Sequence, residues 1–232
     1  LEAVRGRRVA GRHHDAGVVD QHVDAVVRLG DVGRGTTHVR EGGQGRPVIF
    51  LHGITANAAV WDPILLALQD SFRVIAVDQR GHGRSDKPAS GYKARDYAQD
   101  VLGLIETLCE GPAIVVGHSL GARNAVVAGS MQPRLVAGVV AIDFTPFIET
   151  EVFDTLEARV KGGDRTFSSH AEIVAYLAAR YPLMPPDAVG RRATYGYREE
   201  GGVFHPRADA QAMAATVAGL GEGLESAVRA VS

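Results

Sequence analysis

The sequence predicts an α/β fold built on a doubly wound, mostly parallel sheet. Four apolar stretches lack the apolar–polar alternation of a half-solvated sheet, and helical stretches separate them. Strands of that kind are buried on both faces by crossover helices. The chain has 232 residues, of which 45% are hydrophobic and 22% are charged, so it can bury the core of one such domain.

Residues 1 to about 35 form the first segment, and they show no sustained helical or strand periodicity. The residues of metal-ligand type in this segment are His13, His14, Asp15, Asp20, His22 and Asp24. Because metal ligands usually rest on regular elements, we do not predict a metal site here. The segment is expected to be atypical, either disordered or a non-native leader.

Residues 36–146 are predicted to form the core. The expected strands are Thr37–Glu41, Pro47–Leu51, Phe72–Val77, Ala113–Val116 and Leu135–Ile142. The expected helices between them are Asn57–Gln69, Arg95–Cys109 and Ala122–Met131. Ligands of parallel sheets bind beyond the carboxyl ends of the strands. The polar residues at those ends are His52, Asp78, Ser119 and Asp143.

Residues 147–220 are predicted to form a helical lid without strands. Helical stretches follow one another there, and prolines or glycines separate them. The expected helices are Ile148–Val160, His170–Tyr181, Pro186–Tyr197 and Ala208–Leu220. A last helical stretch, Leu224–Val231, lies within residues 221–232, which are expected to begin the return to the core.

The most informative stretch joins a buried strand to a helix through a sharp turn. Gly117, Ser119 and Gly121 match G-x-S-x-G, and the strand–turn–helix context is that of a nucleophile elbow. Small residues two positions before and after Ser119 let the strand and the helix approach each other. The backbone N–H of Leu120 is then directed at the oxyanion that forms when the serine attacks a carbonyl.

Two other motifs precede the elbow. They are His52-Gly53-Ile54 and the stretch Asp78–Asp86, which has the pattern D-x-R-G-x-G-x-S. Together the three motifs resemble the α/β-hydrolase superfamily from about Val39 to Ser232. The resemblance implies a serine hydrolase of the esterase or amidase class (EC 3). Such an enzyme cleaves a small carboxylic ester or amide through an acyl-enzyme at the elbow serine and needs no cofactor.

The resemblance also implies roles for single residues. Ser119 is the expected nucleophile, and the N–H groups of Ile54 and Leu120 are the expected oxyanion hole. The expected substrate-binding residues are His118, Arg123 and Phe144. Arg123 lies in the first turn of the helix, where it could hold a carboxylate with two hydrogen bonds. A structural salt bridge is the alternative role for its guanidinium.

Asp143 is the expected acid of the triad. The order in this fold is serine, acid and histidine, and Asp143 follows the strand after the elbow. A pocket-edge or lid-capping aspartate is the alternative. The resemblance places the triad histidine after the lid, beyond Ser232. We therefore expect a C-terminally truncated chain that lacks the last strands of the sheet and is poorly active as it stands.

A narrower resemblance concerns the substrate. Gly117–Asn124 together with Ile142–Pro146 look most like bacterial N-formylmaleamate deformylases, which implies hydrolysis of a small formyl amide. A C–C hydrolase, an enol-lactonase or a cofactor-free haloperoxidase could use the same triad. A ligand-binding pseudoenzyme or an inactive fragment on the same fold is the alternative from another functional class.

The composition argues against several other classes of protein. The formal net charge of −2 gives no reason to expect a nucleic-acid partner. No apolar run reaches the ~20 residues that a membrane span needs. Cys109 is the one cysteine, so neither an internal disulfide nor a cysteine metal cluster is expected. We expect a small-molecule substrate, no metal or cofactor and a cytoplasmic location, and the oligomeric state stays open.

Overall fold

The structure, a computed structural model, describes residues 22–29, 35–161 and 165–231. Within these ranges six strands form one sheet in the order β1-β2-β4-β3-β5-β6. The strands are β1 (Val23–Arg28), β2 (Thr36–Gly42), β3 (Pro47–Leu51), β4 (Arg73–Val77), β5 (Ala113–His118) and β6 (Val136–Ile142). The four strands from β3 to β6 are parallel, whereas β1 and β2 pair antiparallel. The predicted doubly wound, mostly parallel sheet is confirmed.

Helices cover both faces of the sheet. The core helices are α1 (Asp62–Leu68), which follows a 3-10 turn at Ala58–Trp61, α2 (Ala94–Leu108) and α3 (Leu120–Met131). In β3, Ile49 and Leu51 join the apolar cluster under α2 and α3, while Val48 and Phe50 join the cluster under Leu65 of α1. Both faces of the strand are therefore buried, which explains why its sequence does not alternate.

The segment before residue 36 needs a correction. The expectation of an irregular leader is wrong for β1, whose residues pair antiparallel with β2 and bury Val27. Its six residues, Val-Asp-Ala-Val-Val-Arg, show neither strict alternation nor a continuous apolar run, so the sequence pattern did not indicate a strand. His13, His14, Asp15 and Asp20 lie outside the described residues. In the described part of the chain no group of three or more histidine, cysteine, aspartate or glutamate side chains could hold a metal.

The described residues of the lid form four helices and one hairpin. Its elements are α4 (Thr150–Lys161), α5 (His170–Arg180), α6 (Pro186–Gly196), β7 (Tyr197–Glu200), β8 (Val203–Pro206) and α7 (Ala210–Gly219), and α8 (Glu225–Val231) follows. The helix ends lie within two residues of the predicted ones. The expectation of a lid without strands is corrected by the hairpin of β7 and β8. Gly201 and Gly202 both have positive φ, 61° and 82°, as a two-residue type I′ hairpin turn requires.

A buried polar network supports the loops at the carboxyl end of β4. The Asp78 carboxylate accepts hydrogen bonds from the N–H groups of Ala58 (2.7 Å) and Arg84 (2.9 Å). The His38 imidazole lies between two carboxylates, with Nδ1 3.0 Å from Asp78 and Nε2 3.7 Å from Asp24. Burial opposes protonation of His38, but the hydrogen bonds and charges of both aspartates outweigh it and raise its pKa above 6.5. The cationic form of His38 is thus the one that the fold favours.

The stability of the protein is therefore expected to fall as the pH rises above about 6.5. A histidine with a raised pKa in the folded state contributes its full stabilisation below the unfolded pKa and loses it as the pH passes the folded pKa. Urea midpoints measured between pH 6 and pH 9 would show this slope. His38→Gln should flatten it, whereas His170→Gln, on the exposed surface of α5, should keep it. An unchanged slope in His38→Gln would contradict the assignment.

Candidate active site

Ser119 lies in a strained turn between β5 and α3. Its backbone has φ 52° and ψ −113°, a conformation that non-glycine residues rarely adopt. A Cβ at Gly117 would collide with the backbone at Gly121, and a Cβ at Gly121 would collide with the carbonyl of Leu51. The G-x-S-x-G spacing is thus a steric requirement of this turn, and the predicted strand–turn–helix geometry is confirmed.

The loop after β3 lies directly against this turn. A Cβ at Gly53 would be 2.9 Å from Nδ1 of His118 and 3.4 Å from Cβ of Ser119. Among the described residues, nothing accepts a hydrogen bond from the backbone N–H of Ile54 or of Leu120. Leu120 directly follows Ser119, and Ile54 follows Gly53, which lies against Ser119, so both free donors are near the serine. An oxyanion hole needs donors of this kind.

Asp143 lies beside the elbow at the end of β6. The Ser119 N–H donates to the carbonyl of Ile142 (3.0 Å), so the residue after Ile142 is held next to the serine. Asp143 has a φ of 53°, its side chain is 79% exposed, and Oδ2 is 3.7 Å from Nε2 of His118. The fold thus brings together Ser119, His118 and Asp143, three residues that the sequence predicted for the site.

No described histidine makes a hydrogen bond with the Ser119 hydroxyl. His170 faces Thr194 at 3.3 Å, and His205 lies in β8 opposite Arg198. His52 is fully buried beneath the loop after β3. Neither lid histidine is therefore placed as the base.

The predicted substrate-binding role of Arg123 does not fit its surroundings. The side chain is buried, and its guanidinium donates to the backbone carbonyls of Glu222 (2.6 Å), Leu220 (3.1 Å) and Thr145 (3.4 Å). These contacts tie the start and the end of the lid to α3. We therefore do not propose Arg123 as a substrate ligand. Phe144 packs against the main apolar cluster of the sheet.

A cavity under the lid contains cationic residues that the sequence did not single out. Its empty space of about 560 Å³ includes the part that is open to solvent, and it extends from Thr55, next to Ile54, to α5, α6 and α7. Its polar and aromatic lining residues are Thr55, Tyr176, Arg180, Tyr181, Arg192 and Tyr197. The three motifs used in the sequence analysis all precede the lid, so no signal marked Arg180 or Arg192 in the sequence.

The two arginines face this cavity without a carboxylate partner in the described part of the chain. Arg192 donates to the carbonyl (3.2 Å) and hydroxyl (3.0 Å) oxygens of Thr55 and to the hydroxyl of Tyr181. Arg180 donates to the hydroxyl of Tyr176 (3.0 Å). Burial acts to raise the pKa of Tyr181, but both arginines outweigh it, and the pKa is lowered. The cavity is therefore electropositive, which suits an anionic ligand.

Comparisons with known proteins agree with this geometry. The family model described as alpha/beta hydrolase fold matches residues 46–174. The chain is 54% identical over 207 residues to a 2-(acetamidomethylene)succinate hydrolase of Mesorhizobium japonicum, a match that covers 89% of this chain and 74% of the relative. The chain belongs to the α/β-hydrolase fold family, and the predicted enzyme class, a hydrolase, is confirmed.

Solved structures show the same relationship. A crystal structure of E-2-(acetamidomethylene)succinate hydrolase superposes with a TM-score of 0.87 at 53% identity, covering 91% of this chain and 78% of the other. An N-formylmaleamic acid deformylase of Pseudomonas putida superposes with a TM-score of 0.68 at 17% identity, covering 90% and 78%, which shows a shared fold. No helix in the described ranges is long and apolar enough to cross a membrane.

Proposed function

We propose that this protein hydrolyses the amide bond of a small dicarboxylate of the 2-(acetamidomethylene)succinate type. The main support is the cavity beside the oxyanion loop, in which Arg180 and Arg192 face the open space and no described carboxylate neutralises them. Guanidinium groups bind carboxylates through charge-assisted, bidentate hydrogen bonds. Two such groups suit a substrate with two carboxylates, and the relative at 54% identity is named for such a substrate.

The reaction follows from the elbow geometry. The Ser119 hydroxyl oxygen attacks the acyl carbonyl, and its proton passes to a general base, which the family resemblance identifies as a histidine oriented by Asp143. The N–H groups of Ile54 and Leu120 stabilise the oxyanion. The C–N bond then breaks, the nitrogen leaves with a proton from the base, and water hydrolyses the acyl-enzyme to release the carboxylic acid and free serine.

The anion-binding role of the cavity predicts a selective loss of substrate affinity. Arg180→Gln and Arg192→Gln should each raise KM for the dicarboxylate amide by about 10- to 100-fold, since a hydrogen bond to a charged group contributes roughly 1.5–3 kcal/mol. KM for the uncharged dimethyl ester of the same amide should change little. The measurement is steady-state hydrolysis of both compounds, and of N-formylmaleamate, by the full-length protein.

Arg191 provides a matched control on the same helix. Its guanidinium pairs with Asp187 at 2.8 Å and does not line the cavity. Arg191→Gln should therefore leave KM for the dicarboxylate unchanged. Equal effects of the three substitutions, or equal effects on the charged and the uncharged compound, would contradict the proposed substrate class. Faster turnover of N-formylmaleamate than of the acetamido compound would identify deformylation as the reaction instead.

A further inference from the structure

A chain of buried hydrogen bonds connects the elbow helix to the oxyanion loop. Asn124, one turn after the start of α3, donates through Nδ2 to Oε1 of Gln79 (2.7 Å). Gln79 donates through Nε2 to the carbonyl of His52 (2.6 Å) and through its backbone N–H to Nε2 of His52 (3.0 Å). All three side chains are at least 96% buried. These hydrogen bonds thus connect residues that follow three neighbouring strands, β3, β4 and β5.

These bonds fix the tautomer of His52. A backbone N–H can only donate, so Nε2 of His52 is the acceptor and Nδ1 holds the proton. Nδ1 then donates to the carbonyl of Gly53 (2.8 Å). Burial lowers the pKa of His52 and thereby favours this neutral form.

The same bond sets the direction of an oxyanion-hole donor. The carbonyl of Gly53 also accepts a hydrogen bond from the N–H of Ala56 (3.2 Å), so it is held from two sides. In a planar trans peptide the carbonyl of one residue and the N–H of the next point in opposite directions. The N–H of Ile54 is therefore turned away from this network, and no described residue accepts a hydrogen bond from it.

We propose that Gln79 and Asn124 are positioning residues that hold the Gly53–Ile54 peptide in the orientation needed for oxyanion stabilisation. This inference rests on the proposed hydrolysis at Ser119. Neither side chain touches the substrate; both act through His52. One observation supports a functional reason for the Asn124 amide. Its Oδ1 is buried and no described residue bonds to it, and an unsatisfied buried polar atom costs about 1–3 kcal/mol of stability, yet Nδ2 of the same amide keeps its bond to Gln79.

Three substitutions break this series of hydrogen bonds at different positions. Asn124→Leu removes the donor to Gln79. Asn124→Asp places a carboxylate opposite Oε1, so the Gln79 amide must rotate and turn its oxygen toward the carbonyl of His52. Gln79→Glu keeps the acceptor for Asn124 but loses the donor to His52. Each variant should lower kcat by about 10- to 100-fold with KM within about twofold, because a displaced oxyanion donor weakens transition-state binding alone.

Tyr97→Phe is the control for a general loss of stability. The Tyr97 hydroxyl is buried and shares a hydrogen bond of 2.7 Å with Thr216, outside the hydrogen bonds that link Asn124, Gln79 and His52. The Tyr97 ring packs in the same apolar cluster as Leu120 and Ile54, and phenylalanine keeps that ring, so only the hydroxyl is lost. This variant should lower the melting temperature like the others and leave kcat unchanged. A second measurement does not depend on turnover: amide hydrogen exchange at Ala56, whose N–H donates to the carbonyl of Gly53, should be faster in Asn124→Leu but unchanged in Tyr97→Phe.

The assay uses two compounds, so that the two proposals can fail separately. If the dicarboxylate amide is not hydrolysed but Ser119-dependent turnover of p-nitrophenyl acetate falls in all three variants, the substrate proposal fails and the positioning role stands. If kcat and the Ala56 exchange rate are unchanged in these variants, the positioning role is overturned. A drop in kcat that Tyr97→Phe reproduces would also overturn it.

Discussion

In the protein that includes the triad histidine, replacement of Ser119 by alanine is expected to lower kcat by about 10⁴- to 10⁶-fold and to leave the fold intact. The hydroxyl is the atom that attacks the acyl carbonyl, and the remaining oxyanion donors cannot replace a covalent step. The substitution removes one oxygen and no hydrogen bond that the described residues make with it. Alanine also keeps the side-chain volume at a turn that has no room to rearrange. Circular dichroism and the melting temperature should therefore match those of the wild type.

A fluorophosphonate probe gives the matching labelling test. The wild type should form a covalent adduct at Ser119, and Ser119→Ala should not. Ser130 is the control, because it lies in the same helix and donates to the carbonyl of Val127 (2.8 Å) at the far end from the turn. Ser130→Ala should label and turn over like the wild type. Equal labelling of Ser119→Ala would place the nucleophile elsewhere.

The sequence predicted the elbow because the steric rule is local. Gly117 and Gly121 are required by contacts with backbone atoms that any strand–turn–helix of this kind brings close, so their spacing alone indicates the turn. The buried strands were found for a similar reason. A strand buried on both faces has a continuous apolar sequence, and this pattern can be recognised without knowing which residues pack against the strand.

The lid residues show what local patterns cannot predict. Arg123 was correctly predicted to lie in the first turn of α3. Its guanidinium, however, donates hydrogen bonds to the carbonyls of Leu220 and Glu222, and no pattern near Arg123 indicates contacts with residues so remote in the sequence. Arg180 and Arg192 reach one cavity only because α5 and α6 pack together. The hairpin of β7 and β8 did have a local signal, the pair Gly201-Gly202, but its strands are only four residues long.

Asp143 is the second residue whose replacement should remove most of the activity. Asp143→Asn is expected to lower kcat by roughly 10⁴-fold, because an asparagine stabilises neither the correct tautomer of the triad histidine nor the imidazolium that forms during attack. The replacement preserves size and should leave the melting temperature near that of the wild type. Steady-state hydrolysis of p-nitrophenyl acetate and of the dicarboxylate amide would measure the effect.

Two control variants separate the triad role of Asp143 from the alternatives. Asp70→Asn removes an exposed carboxylate just before β4, at the opposite end of the strands from the elbow, and should have no effect on kcat. His118→Gln tests the 3.7 Å contact between the two side chains. If His118→Gln costs as much activity as Asp143→Asn, the carboxylate acts by holding His118. If Asp143→Asn lowers kcat by less than about tenfold, Asp143 is a residue of the pocket edge. The triad acid must then come from another part of the chain.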